Sequence, residues 1–314
     1  MNTFSSIVIH LDSSNATQKL ENDSDGNPLS TNFIYNLVEP IEIPRNEDCE
    51  ISLYTTTIPY SFYNCRSGVN NTIQIQYVDN TPTLNEIATI LLDEGNYSAT
   101  ALKSAFIKKV SELDSNTYPI ISSLTFEITY SRETLKYEFT LTTSLPNCSG
   151  FSIDFLLAKS LFGFRVAMPQ QFTSIDTKRT LKSDICIDIN DSIHGLYVRT
   201  NLSSKSTLDN ENGTFSNILA RIPINTNAGG IIFHTPNNSK HKSKVSLHSI
   251  QSIGLKLTDD KNRIINLNGL DFQVSLLIDF VPIQPKVYPI DKYRHRIIES
   301  QPTKKTKKKS KSKK

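Results

Sequence analysis

The side chains best equipped for chemistry in this 314-residue chain are few and scattered. Paired carboxylates come first. In "DICIDIND", Asp184 and Asp188 fall on one face of an expected strand, four residues or about 13 Å apart at ~3.3 Å per residue. A glycosidase dyad needs roughly 5–9.5 Å, so this pair is not one. Ile185, Ile187 and Ile189 on the other face account for the run as a half-buried strand. "TDDKN" (258–262) reads as an acidic turn, with too few ligands for a cation. The histidines His10, His194, His234, His241, His248 and His295 never recur at metal-ligand spacing on a helix. Cys49, Cys65, Cys148 and Cys186 form no CxxC pair, which predicts free thiols in a reducing compartment and no zinc site. GxGxxG, P-loop, HExxH and GxSxG motifs are absent. These residues predict no catalytic group, no metal and no cofactor, so the chain reads as a non-enzyme.

Two basic stretches remain. "SKHKSK" (239–244) reads as a solvated hairpin loop between "IIFH" and "VSLHSI". The other is "TKKTKKKSKSKK" (303–314), with Lys304, Lys305, Lys307, Lys308, Lys309, Lys311, Lys313 and Lys314. Removing these eight charges from the formal +3 of the chain leaves the preceding 302 residues at −5. A lysine-only run lacks the bidentate fork and stacking plane of arginine. It can neutralise phosphates but cannot read bases. On residues alone the tail is a solubilising or nuclear-import segment, or a non-specific contact to nucleic acid.

The elements that would position such residues are mostly strands. Hydrophobic content is 37% and charge only 21%, with uncharged Ser, Thr and Asn filling the difference. That balance predicts a folded protein rich in exposed strand and loop, not a disordered one. The opening segment lacks the charged region of a signal peptide and no run reaches the ~18 apolar residues of a membrane helix. The expectation is a soluble protein made in the cytosol. Ile7, Ile9 and Leu11 alternate as an opening strand, and "CEISLYTTTIPY" repeats the pattern through Ile51 and Leu53 until Pro59. In "SLTFEITYSRETLKYEFTLTT", Leu124, Phe126, Ile128 and Tyr130 are answered by Leu135, Tyr137, Phe139 and Leu141, a hairpin. The last third reads as a meander. Ile253, Leu255 and Leu257 alternate, "RIINL" follows the acidic turn, and Asn268-Gly269 suits a tight hairpin turn. Phe272, Val274, Leu276, Ile278 and Phe280 form the last strand before Pro282 and Pro285.

Two helices interrupt the strands. In "NYSATALKSAFIKKVSEL", Ser98 caps a helix whose stripe is Leu102, Phe106, Val110 and Leu113. "DFLLAKSLFGF" is expected to be helical from Asp154, with Gly163 as C-cap. The predicted fold is mostly β, a jelly-roll β-sandwich with an inserted α+β region, single rather than double because no repeat is visible. Its core strands would come from 1–61 and 181–285, the insertion from 62–180, and an extended basic tail from 286–314.

Several stretches in this order carry a family likeness: "TTIPYSFYN" (56–64), "NNTIQI" (70–75), "EGNYSATALKSAF" (94–106), "KSLFGF" (159–164), "ILARIPI" (218–224) and "LNGLDFQVSLLIDF" (267–280). Together they resemble the penton, or vertex minor capsid, proteins of virophages and Polinton-like viruses, Mavirus-type included, over roughly residues 4 to 282. The resemblance implies a jelly roll with an inserted region and five copies at each five-fold vertex of an icosahedral shell. Partners would be further copies of the chain, major capsid protein hexamers and packaged viral DNA. The site would be the virion, after synthesis in the host cytoplasm. The tail lies outside the matched stretches, so its contact with DNA is a physical expectation. Two other readings stay open: a receptor- or carbohydrate-binding β-sandwich, and a DNA-binding nuclear protein working through its basic tail.

Overall fold

Alternation in the opening segment is realised as β1 (Ser6–Asp12), followed by β2 (Gln18–Lys19), β3 (Asn32–Glu42) and β4 (Glu47–Pro59). A middle run holds β5 (Thr72–Val78), β6 (Asn85–Leu91), helix α1 (Ala99–Ser111), β7 (Thr125–Ser131), β8 (Lys136–Thr142) and β9 (Phe151–Asp154). It ends in the short helix α2 (Lys159–Phe162), β10 (Gln170–Gln171), β11 (Thr173–Ile175) and β12 (Lys178–Lys182). The chain continues through β13 (Gly195–Thr200), β14 (Thr207–Asp209), β15 (Thr214–Ser216), β16 (Ile218–Pro223) and β17 (Ile231–His234). It closes with β18 (Ser243–Val245), β19 (Ser249–Thr258) and β20 (Gln273–Pro282). This computed structural model describes residues 6–78, 85–142, 150–175, 178–190, 193–203, 207–209, 214–236 and 241–283.

The sheets sort these strands by partner. One sheet runs β1-β20-β4-β17, with β18 also on β4, and another runs β16-β13-β19-β3-β2. Lettered B to I in chain order, β1, β3, β4, β13, β16, β17 with β18, β19 and β20 give the BIDG and CHEF sheets of a jelly roll. The first strand therefore lies against the last, with Ser6 opposite Asp279 and Asp12 opposite Gln273. A contiguous core fills the sandwich, drawing Leu11, Phe33, Ile51, Ile58, Val198, Leu255 and Leu276 from both sheets.

Between β4 and β13 the chain builds a second core. Sheets β10-β9-β5-β6 and β11-β12-β8-β7 pack with α1 and α2 around Phe106, Phe126, Phe139, Phe155 and Phe162. Helix α1 forms because Ser98 Oγ accepts from Ala101 N at 3.2 Å, and Leu102, Phe106 and Val110 supply its buried stripe. The expected hairpin is β7–β8, with Phe126 opposite Leu141 and Ile128 opposite Phe139. Leu135 sits in its turn, exposed and at φ +54°, rather than in the returning strand.

Five expectations are corrected. The helical stretch expected from Asp154 starts two residues later: Asp154 ends β9, Leu156–Ala158 form a 3-10 turn, and α2 follows directly from Lys159. Every residue of β9 is buried, so it carries no alternation to betray a strand. Gly163 does cap α2, at φ +77°, with Phe164 N donating to Lys159 O at 2.8 Å. "DICIDIND" is irregular, because Ile185, Ile187 and Asp188 donate their N–H groups to Gly163, Leu135 and Ser160 rather than to a neighbouring strand. "RIINL" makes one bridge, Thr258 to Ile264, not a strand. The closing strands are no meander: β19 and β20 lie in opposite sheets, and Asn268-Gly269 turns a corner between them. "SKHKSK" joins no hairpin, since β17 and β18 both pair with β4.

Candidate functional site

The eight tail lysines, Lys304 to Lys314, lie outside the described residues, as do Cys148 and His295. The other residues singled out for chemistry are dispersed. Asp184 is exposed, while Asp188 Oδ2 lies 3.3 Å from His194 Nε2 and its Oδ1 accepts from Asn190 N. His10 Nδ1 meets Ser275 Oγ at 2.8 Å on the outer face of the BIDG sheet. Cys49 and Cys65 are buried free thiols and Cys186 is exposed. Burial, helped by the charges of Asp279 and Glu50, pushes the Cys49 thiol up to about 11. Among the described residues no group of three or more His, Cys, Asp or Glu could hold a metal ion.

The acidic turn proved more than a turn. Asp259 has no exposed side-chain surface. Its Oδ1 accepts from Lys261 N at 3.0 Å and Arg263 N at 2.8 Å, and its Oδ2 accepts from Arg263 Nε at 2.7 Å. Arg66 Nη1, from the segment entering the second core, lies 3.5 Å from the same oxygen. A buried carboxylate is tolerable here because both of its oxygens meet donors. Its role is to tie the insertion to the jelly roll.

Two surface features stand out at opposite edges of the sandwich. At the first edge, the G strand is split: β17 covers Thr56–Pro59 of β4 and β18 covers Cys49–Ile51. Between them β4 changes phase, its inward residues shifting from Cys49, Ile51 and Leu53 to Thr56 and Ile58. Ser52–Thr55 has no strand partner on that side among the described residues. The gap opens into a groove of about 770 Å³ walled by Tyr54, Leu277, Leu219 and Pro236, with Arg221 and Lys242 at its rim. Lys242 Nζ is held 2.9 Å from Asp279 and 3.8 Å from Glu50. His234 lines the same groove, its pKa lowered by burial.

The second feature is on β3. Asn36 pairs with Ser252 and Ile41 with Ile250, so Leu37–Pro40 stands opposite Gln251 alone and loops out of the ladder. Leu37 packs against the core, whereas Val38 is 97% exposed and Glu39 and Pro40 project beside it. Pro40, unable to donate to a ladder, was the one sequence signal for this knob. Nothing comparable announced the groove, which arises from strands far apart in the chain.

The described residues form a single jelly-roll sandwich with a second core built between β4 and β13. Among solved structures the chain is similar to the mavirus penton protein, at 12% identity and a TM-score of 0.48, over 88% of this chain and 99% of that one. It is also similar to a chain of the Sputnik virophage structure, at 12% identity and a TM-score of 0.39, over 89% and 98%. No protein-family model and no curated protein sequence matches the chain. No helix among the described residues is long and apolar enough to cross a membrane.

Proposed function

We propose that this chain is a structural protein of an icosahedral virus particle, a penton-type minor capsid protein acting by assembly. The observation that carries this reading is the strand order, β1-β20-β4-β17 against β16-β13-β19-β3, with a complete second core spliced in after β4. A sandwich of this kind exposes two unlike edges. Unlike edges are what a cyclic ring needs, because each protomer must meet its neighbours through two different patches. The family likeness in the sequence supplies the number five, the vertex position, and the major capsid hexamers as neighbours. In this reading 1–61 and 181–285 form the shell-building jelly roll and 62–180 an insertion available for contacts. Residues 286–314 form a basic tail, in a virion assembled from protein made in the host cytoplasm.

Five gathered tails would bring forty lysines to one point. Facing packaged DNA, they would release counterions without reading sequence. Deleting residues 303–314 is expected to weaken DNA binding and flatten its salt dependence by a slope of about 7 per chain, at ~0.9 per phosphate neutralised. The experiment that tests the assembly itself is the solution mass, by light scattering coupled to gel filtration. Five times the 35.3 kDa chain mass, retained at high salt, is expected. A monomer at every concentration and salt overturns it.

A further inference from the structure

The two edge features fit each other better than either fits solvent. We infer that the Val38-Glu39-Pro40 knob of one copy seats in the β4–β16 groove of the next, forming the repeating contact of the ring. This rests on the pentamer reading above and assigns its interface.

The knob offers an apolar tip and one negative charge: Val38 at 97% exposure, Pro40, and Glu39 between them. The groove offers the complement, with an apolar wall of Tyr54, Leu277 and Pro236 and a rim carrying Arg221 and Lys242. Lys242 is already engaged by Asp279 and Glu50, so Arg221, exposed on β16, is the cation assigned to Glu39. Tyr54, 47% exposed, stands on the outer face of β4 at the split between β17 and β18. An inserted knob would remove that exposed ring and Val38 from water together.

Geometry excludes the same chain as occupant. The knob is on β3 and the groove wall is on β16, three strand steps away, or about 14 Å at ~4.8 Å per step. The two patches sit on opposite edges of one sandwich, so docking them between copies gives a heterologous, head-to-tail contact. Such a contact propagates around a ring and leaves no unmatched patch when the ring closes. A self-complementary dimer would instead need both patches on one side.

The test uses full-length protein and three charge variants: Glu39→Arg, Arg221→Glu, and both together. Both positions are exposed, so folding should survive, which far-UV circular dichroism checks. Each single reversal places like charges in the contact and is expected to raise the concentration for half-assembly at least ~10-fold. The double variant should return to within about 3-fold of the parent. Val38→Asp should match the single reversals without touching the charge pair. If the parent is pentameric and the single variants assemble equally well, this contact is wrong while the pentamer stands. Failure of the double variant to recover overturns the Glu39–Arg221 pairing. A parent that stays monomeric overturns the pentamer reading and this interface with it.

Discussion

Replacing Asp259 by Asn should cost the folded body about 3–5 kcal/mol, the usual penalty for breaking a buried ion pair by neutralising one member. The substitution preserves shape, so no cavity contributes. What changes is that one acceptor oxygen becomes a donor. If the amide keeps its oxygen toward Lys261 N and Arg263 N, its NH₂ faces Arg263 Nε and Arg66 Nη1, and both contacts of Oδ2 turn repulsive. If it flips, the two backbone donors lose their acceptor instead. One charge-assisted bond, from Arg263 Nε at 2.7 Å and worth ~1.5–3 kcal/mol, and the longer 3.5 Å ion contact of Arg66 set the scale. The Arg263 side chain keeps 31% of its surface and can rehydrate, whereas Arg66 keeps only 15%. The Arg263 leg is therefore discounted and the total placed nearer 3 than 5. The assay is guanidinium chloride unfolding followed by far-UV circular dichroism, for Asp259→Asn, Arg66→Met and the pair. Arg66→Met retains the stem and removes the charge, and should cost less when Asp259→Asn is already present than in the parent. A cost under ~1 kcal/mol for Asp259→Asn, or an Arg66→Met cost identical in both backgrounds, would refute the claim that this cluster joins the two cores.

Phe106→Ala should destabilise the insertion by about 3–5 kcal/mol, since Phe106 is buried and meets Phe126, Phe139 and Phe162 edge-on at 5.6–5.9 Å; thermal melting reads this, and a shift no larger than that of an exposed control would count against the packing. Gly163→Ala should cost clearly more than Gly68→Ala. Both sit at positive φ, worth ~1–2 kcal/mol to any L side chain, but a Cβ on Gly163 would also lie 2.5 Å from the Ile185 carbonyl, whereas one on Gly68 meets nothing within 4 Å. Equal costs in chemical unfolding would sink the distinction. With its thiol pushed up to about 11, Cys49 stays protonated at pH 8. Iodoacetamide should then label exposed Cys186 but not Cys49, which is both protonated and 1% exposed, in folded protein at pH 8; comparable labelling of both, read by peptide mass spectrometry, would contradict it.

Local signals in the sequence located elements well where one face is wet. Alternation marked β1, β7, β8, β19 and β20, because their inward residues alternate with polar ones. Ser98 and Gly163 marked helix ends because capping is decided within one turn. Those signals fail where burial is two-sided or absent. Residues 151–154 are buried throughout and so show no alternation, while "DICIDIND" alternates yet finds its partners in a hairpin turn, helix α2 and the α2 cap. Period also reports a face and never a neighbour. This is why β19 and β20 looked like adjacent hairpin strands although the sandwich places them in different sheets.

The same distinction separates the parts of the candidate site that could be read from those that could not. The tail is visible because charge density needs no fold. Asp259 looked like any acidic turn residue, since its ion partner Arg66 is brought in by the insertion from far along the chain. The groove is more remote still. It requires β17 and β18 to share one edge of β4, a phase change in β4 at Tyr54, and β16 from the other sheet as a wall. None of the three is visible in a local window of sequence, because the strands involved are far apart in the chain. Surfaces that join copies of a protein are made by tertiary closure at sheet edges, where the ladder is interrupted and backbone and apolar side chains are left over. In this chain one interruption pushes Val38 out of the β3–β19 ladder and the other lies beside Tyr54 on β4. Under the proposed ring contact, the irregularity of one copy would fill the gap left by that of the next.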